Sequence, residues 1–215
     1  MTELPGVKAG RRGPGRPVSA DSAGTRANIV RAGREVVNER GYAATTFQAI
    51  AKRTGLSRPT LNYYFPSREA LFEALVAEAH VVVDACIEEA NQHESPVNRL
   101  RAFMLGLLAA GREDPSLAAF LTSARLEAHR HPVLPVDTAA TTAAFLADAT
   151  AEAVARRELP PHVEPGPLAE LLHAILWGIG ACAGSEAGAA NFPAVAKQLE
   201  LMFDYGLLAD GADSR

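Results

Sequence analysis

Thr45–Tyr64, TTFQAIAKRTGLSRPTLNYY, decides the reading of this chain. Thr45 and Gln48 have the spacing of a capping box that opens a short helix, with Phe47, Ile50 and Ala51 on its inner side. Gly55 supplies a permissive turn and Leu56 closes the corner. Ser57 is a good N-cap for a second helix. Pro59 is tolerated in its first turn, where backbone amides lack intrahelical partners. Leu61 and Phe65 face inward from that helix, and hydroxyl, amide and basic residues cover its outer side.

Those outer residues have the chemistry of a surface that lies in the major groove of double-stranded DNA. Arg58 can pair bidentately with guanine, and Thr60 offers a hydroxyl and a methyl to a base edge. Ser57 lies at the helix start, where free N–H groups favour an anion. Asn62, Tyr63 and Tyr64 can donate to phosphate oxygens, while Thr45, Thr46, Lys52 and Arg68 can grip flanking phosphates.

Working outward, Thr25–Arg40 reads as a helix with Ile29, Ala32, Val36 and Val37 on one face, ended by a left-handed Gly41. Residues 1–21 are a Pro/Gly-rich basic arm, and Gly15-Arg16-Pro17 is similar to the core of a minor-groove hook, with Arg16 as its reading residue. Pro66 closes the unit and Ser67 caps a long helix. Everything beyond reads as helix, over about 67–93, 96–113, 115–130, 136–158, 167–184 and 193–209, punctuated by prolines. The fold class is all-α. The expected units are the arm (1–21), a helix-turn-helix domain (22–70) and a helical bundle (71–215).

Charge separates the same parts. Residues 1–68 hold 12 Lys and Arg against 4 Asp and Glu, a net +8, and the remainder carries −12, so the total of −4 hides a basic front on an acidic body. Hydrophobic residues make up 48 % of the chain, enough for a substantial core. Two cysteines without short spacing, Cys86 and Cys182, suit a reducing compartment. The N-terminus has no apolar signal segment. The longest apolar run, Ala174–Gly184, is shorter than the roughly 20 residues that span a bilayer. A cytoplasmic protein with no membrane partner is expected.

The segment TRANIVRAGREVVNERGYAATTFQAIAKRTGLSRPTLNYYFPSREALFEAL, Thr25–Leu75, resembles the N-terminal domain of the TetR family of bacterial transcriptional regulators. The resemblance rests on the Gly-Tyr, Thr-Thr, Ile-Ala, Gly-Leu-Ser order and on the closing Tyr-Phe-Pro-Ser-Arg-Glu-Ala-Leu. It implies a homodimer with a nine-helix architecture and repression relieved by a small effector. By position, Thr46, Ser57, Arg58, Thr60, Tyr63 and Arg68 fall on the family's DNA-contact sites. Asn62 stands where the family usually has tyrosine, and Pro59 where a small residue is more common.

In the body, apolar stripes suggest a core enclosing a ligand cavity with few polar groups. Its candidate lining is Phe103, Leu107, Phe120, Leu121, Arg125, Phe145, His173 and Trp177, with Thr122 and Glu127 as further polar groups. Leu168, Leu172, Ile175, Ile179, Leu199, Met202 and Phe203 are candidates for a dimer face on the last two helices. A twofold dimer would demand a pseudo-palindromic operator with half-sites about 34–36 Å apart or more. The pair His129 and His131 lacks the spacing of a zinc site. No converging acid, base or nucleophile set points to an enzyme, and no cofactor is implied. Two further readings remain: a transcriptional activator, and an architectural DNA binder of low specificity.

Overall fold

The computed structural model describes residues 18–131, 138–184 and 186–205. Among them nine helices follow one another without a strand: α1 (Val18–Arg40), α2 (Phe47–Thr54), α3 (Arg58–Tyr64), α4 (Arg68–Ala90), α5 (Pro96–Glu113), α6 (Pro115–Arg130), α7 (Thr138–Ala155), α8 (Pro165–Ala183) and α9 (Glu186–Tyr205). The all-α class holds, with a helix-turn-helix head and a helical body.

Local chemistry sets the head's helix ends. Gly41 and Gly55 have φ of 76° and 71°, left-handed values that close α1 and α2 and cost glycine little. Ser57 Oγ accepts from Thr60 N at 3.2 Å, and Ser67 Oγ accepts from Ala70 N at 3.1 Å. Each such cap contributes about 1 kcal/mol. Pro59, Pro96, Pro115 and Pro165 sit in first turns, as their missing N–H requires.

Three expectations need correction. Thr45 does not cap α2: it is 2 % exposed and its hydroxyl donates to Gly41 O at 2.9 Å. Thr46 is the cap, accepting from Ala49 N at 3.2 Å. The buried Thr45 hydroxyl closes the left-handed turn from inside, which hands the outward capping position to its neighbour. α1 begins at Val18 rather than near Thr25, so residues 18–21 belong to a helix and not to the arm. The rest of that arm, with Arg16, lies outside the described residues. Pro193 does not open the last helix but stands inside α9. Its neighbour Phe192 is 2 % exposed, and its ring would lie 2.6 Å from a Cβ placed on Gly111 of α5. That seating offsets the backbone bond Pro193 cannot make.

Two cores stack along the molecule. The first joins Ile29, Val36 and Val37 of α1, Ile50, Leu61, and Leu71, Phe72 and Leu75 of α4 to Leu117, Phe120 and Ala124 of α6. The second is built from Phe103, Met104 and Leu108 of α5, Leu146, Leu172, Phe192 and Leu199. The first core therefore runs from the head into the body, and the expected division at residue 70 falls just inside α4. α8 is central to the body. A Cβ on Gly180 would lie 2.7 Å from Ala118 O, so α6 and α8 nearly touch backbones there. By length and composition α8 is also apolar enough to cross a membrane, at a mean hydropathy of 1.3, which the expectation from the shorter run Ala174–Gly184 missed. It packs against α6, α7 and α9.

Candidate DNA interface and ligand cavity

Capping and the two glycine turns hold α3 outward from the head. Arg58, Asn62 and Tyr63 are exposed along it, Tyr63 to 81 %, and Lys52 and Thr46 are exposed on α2. Ser57 is exposed and Thr60 half-buried, their hydroxyl oxygens 2.7 Å apart. Arg58 and Lys52 make no ion pair with any described residue, so their charge faces solvent uncompensated. Arg53 differs: Glu35 at 3.2 Å and Glu39 at 2.7 Å occupy it. Tyr64 packs half-buried on the head core, with its hydroxyl donating to Ser22 Oγ at 3.4 Å. Arg68 lies 4.3 Å over the Tyr42 ring and donates to Ala43 O at 3.3 Å, which holds its guanidinium at the head's edge. Thr45 is turned away from solvent and cannot reach a phosphate. Arg40 and Gln48, not among the DNA-contact residues expected from the sequence, line a shallow concavity with Thr46 and Lys52. They come from different helices, and no spacing in the sequence links them.

The body holds an apolar cleft between α5, α6, α7, α8 and α9. It is lined by Leu107, Leu108, Leu121, Leu176, Ile179 and Phe192, with Thr122, Thr142, His173 and Trp177 as polar groups. Of about 570 Å³ of atom-free space, including an open side, about 60 Å³ admits a water-sized sphere. A ligand must therefore push the walls apart. Trp177 Nε1 donates to His173 Nε2 at 3.0 Å, which makes His173 a neutral imidazole protonated at Nδ1. Burial, and then the nearby Arg125 charge, hold His173 below its usual pKa.

Leu107, Leu121, His173 and Trp177 thus line the cleft as expected, and Arg125 lies on the Trp177 ring. Phe103, Phe145 and Phe120 do not line it. Phe103 and Phe145 pack on each other, centroids 4.6 Å apart, and Phe120 packs on Phe72 at 5.8 Å. Helix rotation turns Phe120 away from its neighbour Leu121, whereas Phe103 and Phe145 lie one turn along from Leu107 and Thr142, inside the second core. Glu127 is buried far from the cleft lining, against Gly41, and pairs with Arg130 at 2.9 Å. The expected dimer set is likewise divided. Leu172 and Leu199 face the chain's own core, Leu168, Ile175 and Phe203 pack half-buried against it, and Ile179 lines the cleft. Met202 at 38 % and Leu171 at 56 % are exposed, and nothing lies within 4 Å of a Cβ on Gly178.

The profile described as "Bacterial regulatory proteins, tetR family" matches residues 29–75, the head just described. The head is thus a helix-turn-helix domain of the TetR type, and the chain is a DNA-binding regulator of transcription. Its relatives include the HTH-type transcriptional regulator UidR of Escherichia coli K12, 24 % identical over 72 % of this chain and 79 % of UidR. They include also the class A tetracycline repressor from transposon 1721 of Escherichia coli, 29 % identical over 56 % of this chain and 53 % of the repressor. These relatives are regulators, not enzymes. Among solved structures, a gamma-butyrolactone receptor shares the fold, with a TM-score of 0.62, 19 % identity, and 84 % and 98 % of the two chains covered.

Proposed function

We propose that this regulator is a homodimeric repressor, released from a pseudo-palindromic operator by a small, largely apolar ligand. The observation that carries this reading is the course of α6. At its start, Arg34 of α1 pairs with Asp114 and donates to Ser116 Oγ at 3.3 Å, and Asn38 donates to Ser116 O at 2.9 Å. In its middle, Leu121 and Thr122 line the cleft. At its end, Glu127 packs against Gly41 and the His131 ring lies 5.6 Å from Tyr42. One rigid element thus touches the head twice and the cleft once, so a ligand that shifts α6 acts on the head directly. The sequence suggests α4 as the transmitter, by chain continuity; α6 adds a second route.

In this reading the basic arm, the head and the body are three working parts, split near residues 18 and 70. Thr46, Lys52, Ser57, Arg58, Thr60, Asn62 and Tyr63 meet DNA, with Arg68 at the edge, Tyr64 supporting α3 from beneath, and Arg16 following the arm into the minor groove. Leu107, Leu121, His173 and Trp177 meet the ligand. α8 and α9, with exposed Leu171, Met202 and open Gly178, form the subunit contact, and the chain acts in the cytoplasm without catalysis. The names of the tetracycline repressor and the gamma-butyrolactone receptor fit such a mode of action.

The test is footprinting on the DNA upstream of the chain's own gene, followed by competition between that site and random duplex at fixed salt. A discrete twofold footprint, weakened about 5–150-fold by ligand, is the expected result for a typical coupling of about 1–3 kcal/mol. Equal affinity for both duplexes would favour an architectural binder. A ligand that binds and leaves operator affinity unchanged sinks the release mechanism.

A further inference from the structure

Arg125 is an arginine without a carboxylate. Its guanidinium carbon lies 3.6 Å over the Trp177 ring, and among the described residues no Asp or Glu pairs with it. The acid closest in sequence, Glu127, is taken by Arg130 at 2.9 Å and His131 at 3.7 Å, and Glu170, one turn before His173, is exposed on α8. Burial lowers the pKa of Arg125, the mark of a cation partly stripped of water. Arg125 is half-buried, so part of its hydration is replaced by the Trp177 ring rather than by a carboxylate.

The surroundings of Arg125 are one-sided. Arg125 sits one helical turn beyond Leu121 and Thr122, which line the cleft, and its stacking partner Trp177 forms part of the wall. The groups of the wall that can donate a hydrogen bond are Thr122, Thr142 and His173, and among the described residues no acidic side chain lines the cleft. His173 spends Nε2 on the Trp177 donor, so its Nδ1 carries the ring's proton. The rest of the wall is mainly leucine, isoleucine and phenylalanine.

We propose that the effector is a hydrophobic acid, its apolar body between Leu107, Leu121, Leu176 and Phe192 and its carboxylate against Arg125, one helical turn beyond Leu121 and stacked on the Trp177 wall. The carboxylate supplies a counter-charge that none of the described residues gives, and an arginine held flat by an aromatic ring presents its N–H fork in a fixed plane. A cationic ligand would meet Arg125 as a like charge, and a neutral one would leave the guanidinium unpaired. This inference rests on the cleft being the effector site.

Trp177 is the only tryptophan in the chain, so its fluorescence reads the site directly. Octanoate, octanol and octylamine, matched in chain length, are titrated at pH 7.5 into the full-length protein. Octanoate is expected to shift the emission saturably, at least tenfold tighter than octanol, with octylamine weakest. Arg125→Gln should cut octanoate affinity at least tenfold and leave octanol within about twofold, and Arg125→Lys should retain part of the preference. Equal binding of octanoate and octanol by the unaltered protein overturns the inference and leaves the cleft as the ligand site. So does an Arg125→Gln protein that keeps its octanoate affinity but loses dimerisation, which would assign the missing carboxylate to the second subunit. If none of the three probes moves the emission, the reading of the cleft falls as well. If octanoate binds preferentially yet leaves operator affinity unchanged, the inference stands and the release mechanism fails.

Discussion

The head and the body of this protein are both helical, yet they are specified differently. In the head, each boundary has a local cause: Thr46, Ser57 and Ser67 cap, and Gly41 and Gly55 turn left-handed. Its function rests on what α3 leaves outside. In the body, helices meet through absences, with Gly180 against Ala118 and Gly111 under Phe192, and function rests on space left inside. Local signals survive as a readable sequence pattern, whereas a cleft depends on which distant faces meet. That contrast fits a family profile that covers residues 29–75 and stops where the body begins.

The largest test asks whether the two regions are separate at all. Phe72 is 1 % exposed and its ring meets Tyr42 of the head at 4.9 Å and Phe120 of α6 at 5.8 Å. Phe72→Ala should cost about 3–5 kcal/mol in urea unfolding, because it empties a core that both regions share. The transition should stay single. A first, displaced transition followed by an unaltered second one would mean the head folds alone.

Gly180→Ala should destabilise by about 1–3 kcal/mol, since its methyl would meet the α6 backbone. Gly178→Ala, two residues away but open to solvent, should instead raise chain stability by up to about 1 kcal/mol through helix propensity. A loss of dimer at Gly178→Ala, seen by analytical ultracentrifugation, would place the second chain on that face.

Arg58→Ala should leave the melting temperature unchanged while weakening operator binding by about 1–3 kcal/mol, with relaxed specificity at one base pair. A uniform loss over all sequences would reduce Arg58 to a phosphate contact.

The smallest expected effect is a pH dependence in the body. His173 is held below its ordinary pKa by burial and by Arg125, so the unfolded chain binds that proton more readily than the folded one. Its contribution to stability is therefore intact above the ordinary histidine value of about 6.5 and declines as pH falls below it, until the folded imidazole itself protonates. Thermal melts at pH 7.5 and 5.5 should show a smaller drop for His173→Gln than for the unaltered chain. An equal drop would assign the acid sensitivity elsewhere.

How far the sequence could be read follows the same line. Thr45 and Gln48 have the spacing of a capping box, but the buried bond of Thr45 to Gly41 O moved the cap to Thr46. One residue of register decides which threonine reaches solvent. Phe120 and Leu121 are adjacent in an apolar stripe, yet one enters the head core and the other the cleft. Periodicity marks a face as buried and is silent on which of two interiors receives it. Thr142 and Phe192 had no signal, because their roles come from neighbours far along the chain.

The sequence by itself determined the helical class, the capped and glycine-hinged reading head and the basic charge that surrounds it, since each depends on interactions a few residues long. The tertiary structure alone decided that one core joins head to body, that α6 reaches both, and that Arg125 rests on the Trp177 ring. Those outcomes depend on helix rotation and close approach between segments far apart in the chain, as when Thr122 Oγ1 lies 3.5 Å from the O of Trp177, 55 positions along.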